Sequence, residues 1–588
     1  MGTITKYLLK SRDRNQNALS FMQAGRWQNL TWPQYYEKIF STASALNQII
    51  PQKGVKVAIY SNTCFEWSVM DFAVLSMGNV TVPIYQSVTT EELKYLINHA
   101  EIQILCVESP QLLKNFKKIQ SQCPQVKKIV LFKGSTEDND VLTWTELQLM
   151  GSQYLSEYKS VFESNCQNIK PSDLASIIYT SGTSGIPKGV TVLHSQIISE
   201  VEDTFPMLGI TPSDSTLTFL PYAHVLGRIE QWGHMYIGFH MTYAESIEKI
   251  KNNLLKAQPT LLVAVPRIFE KIYGGILSQL ELHPLKSKLF KWALGVGMQL
   301  GDYKLKKQTP PALLAAEYLV AKKLVLDKVK EAFGGRLRFS ICGGAPLSPE
   351  VSQFFHACEI LVLEGYGLTE TTAAIAVNTP IDYAFGSVGK PLADVQIKFA
   401  DDGEILVKSK KVTAGYYKDD ESNKNSFTDG WFHTGDIGEL TDRGHLKITD
   451  RKKDLIKTAN GKYVAPQKLE NLLKSTSLVS NVLIYGDQQK YIVALVTLDE
   501  QQVKNFAVDK NLGEATITAV YNHKKVFEEI RKNITLVNSK LAHHESIKKF
   551  SILPHDFTIE AGELTPSLKL KRKFLDQKYR SQLEALYR

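Results

Sequence analysis

The sequence predicts an α/β chain built from several domains, on three observations. Short apolar runs alternate with segments of helical period through the first third of the chain. The same alternation returns beyond residue 215. At 588 residues the chain is too long for one compact core, so two or three domains are expected.

Taken in order, Val55–Tyr60 reads as a strand, Trp67–Ser76 as a helix, and Val80–Tyr85 as a strand. Glu91–Asn98 is helical and Ile104–Val107 strand-like, a rhythm that argues for largely parallel strands. Leu174–Tyr179 is an apolar run that suits a buried strand, and Ser195–Glu200 beyond it is helix-like. A second unit comes next, with strand-like Thr216–Leu220, Thr260–Val265 and Leu337–Cys342. Between them, about residues 274–333 form a helical, basic insertion; residues 251–336 hold 15 Lys/Arg against 6 Asp/Glu. It reads first as a solvated helical excursion with one packed face. The alternative is peripheral contact with an anionic membrane through the apolar Leu289–Met298 stretch among its lysines. From Gly403 the texture changes: Gly403–Lys408 and Ile437–Leu440 look like short antiparallel strands bounded by turns. The charge run Asp450–Asp454 marks a boundary, and the segment beyond it has the size of a small separate domain.

Composition excludes several classes. No apolar run reaches the length of a membrane span, and the N-terminus is too short and too weakly apolar for a secretory signal. The six cysteines lack Cys-x-x-Cys spacing, so they read as free thiols of a reducing cytoplasm. A net charge of +9 is modest and spread out, and no helix-turn-helix, finger or RNP-type pattern occurs, so nucleic acid is not an expected partner.

The chemistry concentrates in a few segments. Residues 179–190 read Tyr-Thr-Ser-Gly-Thr-Ser-Gly-Ile-Pro-Lys-Gly-Val. Gly182 and Gly185 let backbone N–H groups converge; Thr180, Ser181, Thr183 and Ser184 add hydroxyls, and Lys188 a positive charge. Such a loop suits polyphosphate, although alone it also reads as a flexible Ser/Gly loop. It is not a Walker A loop, because Lys188 lies between Pro187 and Gly189 and no hydroxyl follows it. In Glu364-Gly-Tyr-Gly-Leu-Thr-Glu-Thr371, Gly365 and Gly367 permit close approach and Tyr366 can cover a purine face, although Gly-Tyr-Gly alone also reads as a surface turn. Thr369 and Glu370 offer oxygens to phosphate and to a hard cation such as Mg²⁺. Gly343, Gly344 and Ala345 follow a strand end, where open α/β sheets bind ligands, or make an ordinary strand-to-helix turn. Asp436 closes Trp431-Phe-His-Thr-Gly-Asp436 and suits two ribose hydroxyls, or is an ordinary hairpin-turn aspartate. His224, in Leu220-Pro-Tyr-Ala-His-Val-Leu-Gly-Arg228, reads alone as a packed histidine.

Together these segments resemble the adenylate-forming, AMP-binding superfamily, and within it the long-chain fatty acid–CoA ligases, or acyl-CoA synthetases. Val265–Tyr273 and the C-terminal Gly562-Glu-Leu-Thr-Pro-Ser-Leu-Lys-Leu-Lys-Arg-Lys573 match that branch, with Ser567 replacing a threonine. Leu226-Gly227 stands where such enzymes have Phe-Glu, and Asn460-Gly461 where many have Gly-Gly. The resemblance implies a large domain, residues 1–449, of two α/β subdomains plus a small β-barrel-like part. A mobile α+β lid, 450–588, would turn about Asp450. It implies ATP, Mg²⁺ and CoA as cofactors and co-substrate, and a fatty acid as substrate. Lys569, Glu370, His224, Thr180 and Lys188 would serve catalysis. Thr180 to Gly185, Lys188, Gly343 to Ala345, Glu364 to Gly367, Thr369, Asp436, Arg451, Lys457 and Gly461 would bind the nucleotide, with Glu370 on the metal. The implied protein is cytoplasmic, with peripheral contact at the inner face of the membrane as an option. The rival readings are a fatty acyl-AMP ligase that loads a carrier protein and an adenylate-binding module without catalysis.

Overall fold

Strand-length apolar runs become the buried centres of two large sheets. The computed structural model describes residues 2–180, 186–281, 284–565 and 569–588. In the first sheet Lys56–Tyr60, Val80–Ile84, Ile104–Val107, Lys128–Leu131, Val141–Thr143 and Leu174–Thr180 run parallel. Their helices start with strong local signals. Thr89 and Glu92 cap each other reciprocally, as do Thr143 and Glu146. The Phe65–Ser76 helix is buried along its whole length, which is why its sequence shows little polar face.

One element departs from the sequence reading. The helix-like Ser195–Glu200 does lie in a helix, but not directly after the glycine-rich segment. A strand, Lys188–Leu193, turns back antiparallel to Leu174–Thr180 and sets Lys188 opposite Thr180. The helix then runs from His194 to Met207. Residues 181–185, the middle of the expected phosphate loop, lie outside the described residues, so the loop is seen through its two flanking strands. Alternation of Val190, Thr191 and Val192 carries this strand, with both valines buried.

The second sheet has a parallel centre of Ser215–Thr218, His240–Tyr243, Leu261–Ala264 and Phe339–Cys342. Leu361–Leu368 is parallel to its neighbour up to Glu364, then antiparallel to Ala373–Val377 from Gly365 onward. An N-terminal hairpin, Asn17–Gln23 with Arg26–Thr31, adds to the far edge beside His240–Tyr243. The insertion is helical as expected, with Pro266–Glu281, Pro284–Leu305 and Ala312–Ala321. It packs back through Phe290 on Phe354.

A smaller antiparallel sheet joins Gln396–Phe399, Glu404–Lys408, Phe427–Thr428, Trp431–Leu440 and Leu446–Arg451. The C-terminal part has its own apolar clusters around Val479–Tyr485, Ile492–Leu498 and Ile547–Ile552. It rests on the large part through Arg267, which donates to the Ser480 carbonyl and hydroxyl at 3.1 and 3.0 Å. Lys540 with Glu350, and Lys571 with Glu92, add ion pairs across the junction. All six cysteines are buried and unpaired.

Candidate active site

The expected residues converge where the strands of the second sheet end, under the small sheet and the C-terminal part. Leu361–Leu368 delivers Tyr366, whose hydroxyl donates to Asp436 Oδ2 at 2.6 Å. The small sheet pairs Asp436 directly opposite Arg451, and the Arg451 Nε lies 3.2 Å from Asp436 Oδ1. Antiparallel register therefore places both candidate ribose groups on one rung. Burial raises the Asp436 carboxyl above its ordinary range, and the Arg451 guanidinium opposes that shift.

Gly367 is fixed by its surroundings. A Cβ there would lie 1.5 Å from the Ala373 carbonyl oxygen, because the chain folds back tightly. The fold-back includes Thr372 and Ala373 at φ 54° and 89°, in the left-handed region that side chains avoid. Gly344 is left-handed as well, at φ +84°, and a Cβ at Gly343 would meet Leu226 and the Gly365 carbonyl at ordinary contact distance. Glu364 is buried beneath this floor, accepts from the Leu347 amide at 3.2 Å, and is pushed up to about 8 by burial. Glu370 sits on the short turn after Thr369. Its Oε1 accepts from the Tyr416 hydroxyl at 3.0 Å, and burial raises its carboxyl.

His224 caps the Val225–Ile237 helix, its Nδ1 accepting from the Leu226 amide at 3.1 Å. That bond leaves the ring proton on Nε2. Burial, then repulsion by Lys569, lowers the imidazole to about 4, so it is neutral at pH 7. A second anchor holds the loop: Thr63 Oγ1 donates to the Leu220 carbonyl at 2.6 Å and accepts from the Tyr222 amide at 3.1 Å.

Lys569 arrives from the far end of the chain. It stays in contact with solvent along the cleft, yet crowding by protein strips hydration from its ammonium. That desolvation and the Arg451 charge lower it to about 8, while Asp436 and Glu370 pull the other way. Three residues on, Arg572 forks onto Glu470 at 2.9 and 2.6 Å and approaches Asp454 at 3.6 Å, which ties down the segment carrying Lys569. Asp450, next to Arg451, is raised to about 7 by burial. Lys188 lies 5.2 Å over the Tyr416 ring.

The structure thus gathers Asp436, Arg451, Glu370, Tyr366, Lys569 and His224 around one cleft, with Lys188 joined to it through Tyr416. Ser181, Gly182, Thr183, Ser184 and Gly185 lie outside the described residues. Lys457 and Gly461 stand apart, on the ribbon of Ile456–Lys457 and Tyr463–Val464. There Lys457 packs 5.6 Å over Tyr463 and its amide donates to Asp487.

This arrangement can hold an adenylate beside two cations and a neutral imidazole. A model of the AMP-binding enzyme family matches residues 10–417, and one of the AMP-binding enzyme C-terminal domain matches 453–588. The long-chain-fatty-acid–CoA ligase FadD15 of Mycobacterium bovis is 33% identical over 96% of this chain and 93% of its own length. The chain belongs to the AMP-binding enzymes, in the long-chain fatty acid–CoA ligase family. Peroxisomal long chain acyl-CoA synthetase 7 of Arabidopsis thaliana, also 33% identical, spans 88% of this chain and 76% of its own. The adenylation domain of a Mycobacterium chelonae carboxylate reductase superposes with a TM-score of 0.76 at 21% identity, covering 100% of this chain and 91% of that one. That likeness shows the fold of the AMP-binding enzymes: a large α/β domain followed by a small C-terminal one. For a member of this family the sequence reading omitted Tyr416 and Thr63. Nothing local in the sequence marked either one, because both act through partners far along the chain.

Proposed function

We propose that this AMP-forming acid–thiol ligase joins a long-chain fatty acid to AMP and then passes the acyl group to CoA, releasing AMP and pyrophosphate. One observation carries the reading: Lys569, more than one hundred residues beyond the large domain's last strand, lies within charge range of Asp436, Arg451 and Glu370. Asp436 accepts the ribose hydroxyls while Tyr366 and Arg451 hold its carboxylate in place. Lys569 bridges the acid's carboxylate and the α-phosphate, where two anions must approach. His224 offers Nε2–H to the reacting carboxyl group without adding a charge. Thr180 through Lys188 hold the phosphates that leave.

Glu370 suits a Mg²⁺ ion brought with the nucleotide. It is a half-buried carboxylate with no Lys or Arg ion pair among the described residues, and Mg²⁺ binds through one or two carboxylates plus phosphate oxygens. Bound there, the ion would neutralise phosphate charge.

The small domain then turns about Asp450, withdrawing Lys569 and bringing in the ribbon of Lys457 and Gly461 for the thioester step. The insertion supplies a docking face for anionic lipid. Leu285, Leu313 and Leu319 stand 84%, 82% and 66% exposed, among exposed Lys286, Lys288, Lys291 and Lys323. No helix of the described residues is long and apolar enough to cross a membrane.

Thioester formation with ATP and CoA, measured across acids of increasing chain length, tests the substrate class; flat or absent activity on long acids sinks it. Lys569→Ala separates the steps. It abolishes ATP–pyrophosphate exchange and leaves thioester formation from supplied acyl-adenylate largely intact. Equal loss of both steps would refute the role given to Lys569.

A further inference from the structure

We propose that Tyr416 is a positioning residue for the triphosphate end of the nucleotide, holding Lys188 and Glu370 apart and in place at once. This rests on the reading of Glu370 as the metal carboxylate and Lys188 as a phosphate cation.

The geometry is specific. Residues Gly415–Tyr417 lie along the outer edge of the Lys188–Leu193 strand. The Thr191 amide donates to the Gly415 carbonyl at 3.2 Å, and the Tyr417 amide to the Gly189 carbonyl at 2.7 Å. Tyr416 thereby pairs with Val190, two residues from Lys188. Tyr416 is 9% exposed, and its ring lies under the Lys188 ammonium at 5.2 Å. Its hydroxyl donates to Glu370 Oε1 at 3.0 Å.

A lysine and a carboxylate this near a triphosphate site would otherwise pair with each other, and the pair would use up both groups. Tyr416 stands between them. The ring face attracts the ammonium without covering it, and the hydroxyl takes one carboxylate oxygen.

The support behind Tyr416 is equally specific. The Thr413 amide donates to the Glu370 carbonyl at 2.7 Å, and its Oγ1 to the Thr191 carbonyl at 2.7 Å. One threonine thus joins the Glu370 turn to the strand that starts at Lys188. Two residues earlier, Lys411 is fully buried, with its ammonium 3.2 Å from Glu200 and 3.0 Å from Asp203. Asp394 lies 4.0 Å away. Glu200 Oε1 accepts from the Ala374 amide at 3.0 Å, and Thr372 Oγ1 donates to the Lys411 carbonyl at 2.8 Å. The buried ion cluster therefore pins both the Tyr416 segment and the left-handed turn just after Glu370.

Calorimetric titration of the full chain with α,β-methylene-ATP, with and without Mg²⁺, tests the proposal. Mg²⁺ tightens binding to the unaltered chain. Tyr416→Phe keeps the ring and loses only the hydroxyl. It should retain the metal-free affinity within about twofold and lose about tenfold of the Mg²⁺-dependent gain, the equivalent of one hydrogen bond to a charged group. Tyr416→Leu should weaken metal-free binding as well, because Lys188 loses its platform. Glu370→Gln is the control and should remove the Mg²⁺-dependent gain. If Tyr416→Phe gains from Mg²⁺ as the unaltered chain does while Glu370→Gln does not, the role of Tyr416 is overturned and that of Glu370 stands. If Glu370→Gln keeps the full gain, the Glu370 reading fails and takes this proposal with it. Unfolding temperatures check that the variants are folded. Should Tyr416→Leu not fold, the Tyr416→Phe titration decides alone.

Discussion

Lys569 should set the alkaline edge of the adenylation step. A lysine ammonium ordinarily titrates near 10.5, and here desolvation by the crowding protein and the Arg451 charge bring it to about 8. The group is charged below about pH 8 and loses its charge as the pH rises through that value, so the bridge between two anions is lost on the alkaline side. The assay is ATP–pyrophosphate exchange without CoA, since a thiol ionises in the same range, near ~8.5. In that assay kcat/KM for ATP reports the free enzyme's essential groups. It should halve near pH 8 and fall about tenfold per unit beyond pH 9, the slope of one proton. Lys569→Arg should be slower and show no edge near pH 8, because a guanidinium keeps its charge. Asp436→Asn removes an attraction that props the ammonium up, so its residual activity should lose its edge at still lower pH. A wild-type edge near pH 10, or the same edge in Lys569→Arg, would refute the assignment.

Two further outcomes rest on buried geometry. Arg228 and Asp71 are fully buried, bonded at 2.9 and 3.1 Å, with the guanidinium 4.8 and 4.6 Å from the Trp67 and Trp232 rings. Arg228→Met should cost about 3–5 kcal/mol in denaturant unfolding, since Asp71 is left buried without its partner. Adding Asp71→Asn should recover much of that, and a double variant no better than Arg228→Met would count against the pair. Gly367→Ala should raise the KM for ATP in the exchange assay by about tenfold or more, because its methyl group meets the Ala373 carbonyl and the Tyr366–Glu370 floor must move. A variant with unaltered KM would show that the fold-back yields without disturbing the nucleotide.

Much of the scaffold was legible because its strands are buried on both faces and read as unbroken apolar runs, Ile104–Val107 and Leu261–Ala264 among them. Lys188–Leu193 was not, since its alternating pattern comes after a glycine-rich stretch that looks like one continuous loop. The cleft residues were legible where several stand together, as in Glu364–Thr371. Tyr416 escaped because its partners lie 46 and 228 residues away and Gly-Tyr has no local meaning. Thr63 escaped for the same reason, holding a loop 157 residues downstream. Arg228 was visible only as part of a motif; that two tryptophans and an aspartate enclose it is a tertiary fact.

Asp450 and Arg451 are consecutive, and the second is cross-strand partner to Asp436. A change of backbone angle at the proposed pivot therefore redirects the guanidinium that steadies Asp436, the carboxylate proposed for the ribose. Nucleotide occupancy and lid angle then become a single mechanical variable. A compound that grips the ribose applies a brake to the rotation, so a stable mimic of the acyl-adenylate should trap the lid as well as fill the cleft, and should leave slowly.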